Sequence, residues 1–80
     1  MTDAEIMSEM TEIFHDLFAD DSIVLSPSTT AHDINGWDSI KHISLIVAVE
    51  DRFGIQIGTS EIEMLNNVGD LVAAVSRKLG

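Results

Sequence analysis

Between residues 40 and 53 the chain places Ile40, Ile43, Leu45, Ile46, Val47, Val49 and Phe53, seven large apolar residues in fourteen positions. That is too much apolar surface for one narrow helical stripe, so a helix built from this segment has to be central. Its β-branched residues lower helix propensity and make a strand the rival reading. Length and the two ends decide for the helix. Asp38 is a short carboxylate able to cap it by accepting a hydrogen bond from the N–H of Ile40 or Lys41, and Gly54 suits the residue that closes a helix. Ser39 is then the first helical residue. Backbone N–H groups there lack intrahelical partners and the helix dipole is positive, which favours a phosphate ester.

The rest of the chain supplies neighbours for that helix. Ile6, Met10, Ile13, Phe14 and Leu17 recur at helical spacing opposite Glu5, Glu9, Glu12 and Asp16, which predicts a helix from about residue 3 to 18. Thr2 and Glu5 have the spacing of a capping box. The acidic face reads as solvated surface, and His15, with no second ligand at a useful spacing, as a surface residue.

From Ala19 to Trp37 the periodicity fails and the only proline, Pro27, lies among Asp, Ser, Thr and Asn. This is a long loop, with Ser26-Pro27-Ser28 as the start of a short helical turn. Ile23, Val24, Leu25, Ile34 and Trp37 are expected to pin it to the core, Trp37 as its aromatic anchor. Asn35-Gly36 would suit a hairpin, but no alternating strand follows it.

Downstream, Ile55-Gln56-Ile57 reads as a short extended piece with both isoleucines on one side. Ser60 and Glu63 are expected to cap a short helical turn over residues 61–65, and Asn67 with Asp70 to open a last helix carrying Val68, Leu71, Val72, Val75 and Leu79. Arg77 and Lys78 end it where cations help. The expected organisation is four helices, one very short, and one long loop. The expected core comprises Ile6, Met10, Phe14, Ile43, Ile46, Phe53, Ile55, Ile62, Leu71, Val72 and Val75.

Eighty residues make one domain, 1–80, and a chain of this size buries only roughly 60 to 65 % of its unfolded surface, which leaves little room for a deep enzymatic cleft. The net charge of -10 is unevenly spread: residues 1–38 hold nine acids and no Lys or Arg, residues 39–80 five acids and four bases. Such a surface argues against nucleic acid and anionic membrane and for partners with basic patches. The absence of cysteine fits a cytoplasmic protein. No apolar run reaches the roughly 20 residues of a membrane helix, and the acidic start is unlike a signal peptide.

Two kinds of chemistry can be asked of these residues alone. Ser39, His42 and Asp38 could form the core of a small hydrolase, since positions 39 and 42 are neighbours on a helix, but the Gly-x-Ser-x-Gly elbow is missing. Asp20-Asp21 and Glu50-Asp51 lack the ligand spacing of a calcium loop, so no metal is expected. An acidic helical interaction module is the bland alternative.

The run Asp38-Ser39-Ile40, then Ile43, Leu45-Ile46, Val49-Glu50, Phe53-Gly54-Ile55 and later Val68-Gly69-Asp70-Leu71, resembles the acyl and peptidyl carrier protein family, in order and spacing over almost the whole chain. The resemblance implies an all-α four-helix bundle, three main helices plus a short third, and no enzyme activity. It further implies 4′-phosphopantetheine on Ser39, flanked by Asp38 and Ile40 and transferred from coenzyme A by a phosphopantetheinyl transferase. An acyl- or aminoacyl-loading ligase or transferase would charge this free-standing monomer, and a synthase or other acyl-processing enzyme would receive the cargo. By analogy, docking falls to Trp37, Ile40, Lys41, Ile43, Ser44, Val47, Glu50, Asp51 and Ile62, with His42 a polar contact beside the arm. Fatty-acid carriers usually place acids where this chain has Lys41, His42 and Ser44. With Trp37 before the motif, that points to a specialised pathway: polyketide, peptide or modified fatty acid. A homologue that never receives the arm is the alternative within the family.

Overall fold

Four α-helices and one 3-10 turn follow one another in a computed structural model that describes Met1–Gly80: α1 Asp3–Phe18, the turn Ala31–Asp33, α2 Ser39–Phe53, α3 Thr59–Glu63 and α4 Val68–Leu79. α1 begins with the expected capping box. Thr2 Oγ1 accepts from the Glu5 N–H at 3.1 Å while Glu5 Oε1 accepts from the Thr2 N–H at 2.8 Å. α2 ends at Gly54 with φ +64°, a backbone state glycine reaches without steric cost. α4 is capped by Asn67, whose Oδ1 accepts from the Asp70 N–H at 2.8 Å. Asp70 also accepts from the Asn66 N–H at 3.0 Å, so one carboxylate secures the turn before the helix.

α3 differs from expectation. It starts two residues early at Thr59, with Gly58 as its N-cap and no side-chain cap, so the Ser60–Glu63 box does not form. Its single turn is held from outside, by packing of the half-buried Ile62 and by Glu61, whose Oε1 meets Lys78 Nζ at 2.9 Å.

The core is a continuous cluster of Ile6, Met10, Ile13 and Phe14 from α1, Leu45, Ile46 and Val49 from α2, Ile57 from the following link, and Val68, Leu71, Val72 and Val75 from α4. Phe53, Ile55 and Ile62 are half-buried against it, and Ile55 and Ile57 both lean inward as their alternation requires. Ile43 is not core: it is 67 % exposed, while Leu45 and Val49, absent from the expected core, are fully buried. The helical repeat explains the exchange. At 100° per residue Leu45, Ile46, Val49 and Phe53 fall within one third of the circumference, and Ile40, Ile43 and Val47 fall on the side away from them.

The long loop is stitched down by polar atoms as well as by its aliphatic residues. Val24 is 86 % exposed, in contrast to the anchoring role expected of it, although Ile23, Leu25 and Ile34 do pack on the core. His15, expected at the free surface, instead donates from Nε2 to the Ile23 carbonyl at 2.8 Å. Residues 26–29 form a tight turn rather than a helical start, with the Thr29 N–H bonded to Ser26 O and buried Thr29 Oγ1 accepting from the Ser26 N–H at 2.9 Å. That turn docks on the start of α4: the N–H groups of Val68 and Gly69 donate to Thr29 O and Pro27 O at 2.8 and 2.9 Å. A Cβ on Gly69 would stand 2.7 Å from Pro27 O, so only glycine allows so close an approach.

Trp37 closes the loop as an anchor, edge-on to Phe14 with centroids 5.2 Å apart and tilted against Phe18 at 6.3 Å. The loop therefore delivers Asp38 and Ser39 to the bundle at a fixed point. Arg52 fastens α2 to α1 through Glu9, with Nε and Nη2 on its two oxygens at 3.1 and 2.9 Å, and through Glu12 at 3.1 Å. No helix is long and apolar enough to cross a membrane.

Candidate functional site

Asp38 fixes the geometry around Ser39. Its Oδ1 accepts from the Lys41 N–H at 2.9 Å and its carbonyl accepts from the His42 N–H at 2.9 Å, so the first turn of α2 closes directly over the serine. The N–H groups of Ser39 and Ile40 have no intrahelical acceptor available. Ser39 is exposed, its hydroxyl makes no hydrogen bond within the chain, and no acid other than the cap lies in the first turn. These features suit a phosphate ester on the hydroxyl: the oxygen is accessible, the helix end is positive, and two backbone donors are unspent.

Ser39 opens onto a shallow depression of about 510 Å³ lined also by Ala31, Trp37, Asp38, His42 and Ile43. A narrower cleft of about 60 Å³ shares Ala31, Trp37 and His42 with it and reaches Leu65, Asn66, Asn67 and Leu71. Nothing in the sequence marked Ala31 or the residues between α3 and α4 as neighbours of the site, because they meet it only through the folding of two loops.

The remaining docking candidates separate into two groups. Ile40, Ile43 and Val47 are 74 %, 67 % and 51 % exposed and make an apolar stripe leading away from Ser39, with Ser44 and Asp51 exposed alongside. Lys41, Glu50, Trp37 and Ile62 are committed inward. Lys41 Nζ donates to the Leu17 carbonyl near the C-terminus of α1 at 3.2 Å, and Glu50 Oε2 accepts from the Ile57 N–H at 2.8 Å. Trp37 and Ile62 are half-buried against the core.

The serine, histidine and aspartate do not form a hydrolytic relay. The His42 ring accepts from Trp37 Nε1 at 3.2 Å, and Asp38 is occupied by the Lys41 N–H. Neither side chain bonds to the Ser39 hydroxyl, and the depression provides no aligned base for a nucleophile.

The family model described as "Phosphopantetheine attachment site" matches residues 8–75. The acyl carrier protein of Thermotoga maritima is 31 % identical over 77 residues, covering 95 % of this chain and 94 % of its own length. That of Thermosynechococcus vestitus is 32 % identical over 80 residues, covering 99 % and 98 %. Among solved structures, the holo acyl carrier protein of Geobacter metallireducens superposes with a TM-score of 0.87 at 45 % identity, over 91 % of this chain and 84 % of that one. The Thermotoga maritima acyl carrier protein gives 0.83 at 28 % identity over 96 % and 89 %. The chain therefore belongs to the acyl carrier proteins, all-α carriers rather than enzymes, which bear a covalent 4′-phosphopantetheine and meet phosphopantetheinyl transferases and acyl-processing enzymes.

Proposed function

We propose that Ser39 is the residue to which the phosphopantetheine is joined, and that residues 1–80 act as a single, monomeric carrier domain in the cytoplasm. The observation that carries this reading is the exposed, unbonded Ser39 hydroxyl at the first position of an Asp38-capped helix. When bound, the arm supplies a terminal thiol that holds an acyl or aminoacyl group as a thioester. Asp38 holds the helix start, the Ser39 and Ile40 N–H groups face the phosphate, and the stripe Ile40, Ile43, Val47 is the docking face, with Ser44 and Asp51 at its edge. A short tether raises the effective concentration of cargo at each docked enzyme, which is what such a carrier contributes.

The pathway we infer is specialised: polyketide, peptide or modified fatty acid synthesis. Support comes from the first two turns of α2, where Lys41, His42 and Ser44 take the place of the acids usual in fatty-acid carriers. A direct test offers the transferase-modified chain to the enzymes of a primary fatty acid synthase beside a housekeeping carrier. Turnover at least about tenfold lower is expected from the loss of charge steering. Equal turnover would overturn the pathway assignment while leaving the carrier function intact.

A further inference from the structure

We propose that His42 is a positioning residue for the phosphodiester on Ser39 and that Trp37 prepares it for this by fixing its tautomer, an inference that rests on assigning the arm to Ser39. The indole N–H can only donate. Its 3.2 Å contact with His42 Nδ1 therefore requires a lone pair there, and the neutral ring carries its proton on Nε2. Phe14 and Phe18 hold the indole on its other sides, and the indole and imidazole rings lie only 21° from parallel, so the lock rests against the core of the bundle. His42 follows Ser39 by three residues, which makes them neighbours on the helix, and both line the same depression.

The one donor left on the ring is Nε2–H, which has no acceptor within the chain. A phosphodiester is an acceptor only and stays negative across the physiological range. Three donors would then be available to it: the N–H groups of Ser39 and Ile40 and the imidazole of His42. Without the indole contact the neutral ring would exchange between two tautomers, only one of which presents a donor at Nε2.

Of the groups around the ring, Asp38 shares its depression and Lys41 precedes it on α2. Those contributed by the 3-10 turn, the α3–α4 link and α4, namely Ala31, Leu65, Asn66, Asn67 and Leu71, are not ionisable. The indole N–H signal of Trp37, the only tryptophan, therefore reports its bond to His42 Nδ1.

The test uses the full chain before and after treatment with coenzyme A and a phosphopantetheinyl transferase, with attachment verified by intact mass. Nitrogen NMR of the ring is expected to show the Nε2–H form in both states. His42→Leu should move the phosphorus signal of the arm, and His42→Gln, which retains an N–H donor, should restore part of its position. Trp37→Phe keeps the aromatic packing and should give a smaller displacement in the same direction, with both tautomers populated. A phosphorus signal indifferent to His42 in modified chain, or an Nδ1–H ring, overturns the proposal. Absence of the mass increase instead refutes the Ser39 assignment, whereas the tautomer is still read on unmodified chain. Should His42→Leu fail to fold, the ring-nitrogen spectrum of the intact chain and the phosphorus signal of Trp37→Phe decide.

Discussion

Asp38 and Ser39 show how much a single cap determines at the residue scale. One carboxylate oxygen on the Lys41 N–H sets the start of α2, and the start of α2 sets the exposure and the field of the serine. Caps of this kind are local, which is why Asp38, the Thr2–Glu5 box and Asn67 were legible in the sequence. His15 and Ile43 were not. The role of His15 depends on where residue 23 returns, and the burial of Ile43 on which side of α2 the other helices take.

Those two sides of α2 can be told apart by stability. Ile46 is 5 % exposed within the core, so Ile46→Ala is expected to cost about 2 to 5 kcal/mol. Ile43→Ala on the open face should stay within about 0.5 kcal/mol. Urea unfolding of both variants checks the pair, and similar losses would place the core on the wrong side of the helix.

At the scale of elements, α2 serves two surfaces at once, and that explains its excess of apolar residues. Leu45, Ile46 and Val49 join it to the core it shares with α1 and α4, whereas Ile40, Ile43 and Val47 stay exposed. Composition made the helix recognisable as central. It could not divide the seven residues between core and surface, because both faces use the same residue types.

The acids at its far end have different duties. Glu50 accepts from the Ile57 N–H and so holds the link after α2, while Asp51 is exposed. Docking should therefore depend more on the stripe than on these acids. Val47→Asp is expected to lower turnover by a loading or acyl-processing enzyme about tenfold or more, an amount typical of disturbing an interface centre. The double variant Glu50→Gln with Asp51→Asn, which keeps an acceptor for Ile57, should lower it less. The reverse order in steady-state assays would move the docking surface to the acidic end.

Over the whole molecule, a net charge of -10 is carried by a bundle of only four helices, and a few pairs answer it. The hydrogen bonds from Arg52 hold the Glu9 carboxyl below its ordinary 4.5, and Lys78 does the same for Glu61. A carboxylate depressed in the folded state stabilises above its unfolded pKa and loses that contribution as pH falls through the folded value. Arg52→Gln should accordingly melt lower than the parent at pH 7, with the gap shrinking once pH falls below 4.5. Thermal melts across pH 3 to 8, at about 0.05 M salt where screening is weak, provide the check. A gap that persists unchanged at about pH 3 would mean that Arg52 acts through packing alone.

Four helices in order, the long loop and the serine at its end were legible because periodicity and caps are written locally. The stitching of that loop was not, since Thr29, Pro27 and Gly69 find one another only across about forty residues of chain. Their contact nevertheless helps hold the segment that ends at Ser39. The central claim, that this serine carries the arm, is tested most directly by the intact mass of the chain after incubation with coenzyme A and a phosphopantetheinyl transferase. The parent chain is expected to gain one phosphopantetheinyl group and Ser39→Ala none. No gain in the parent, or a gain that survives the substitution, would contradict the assignment.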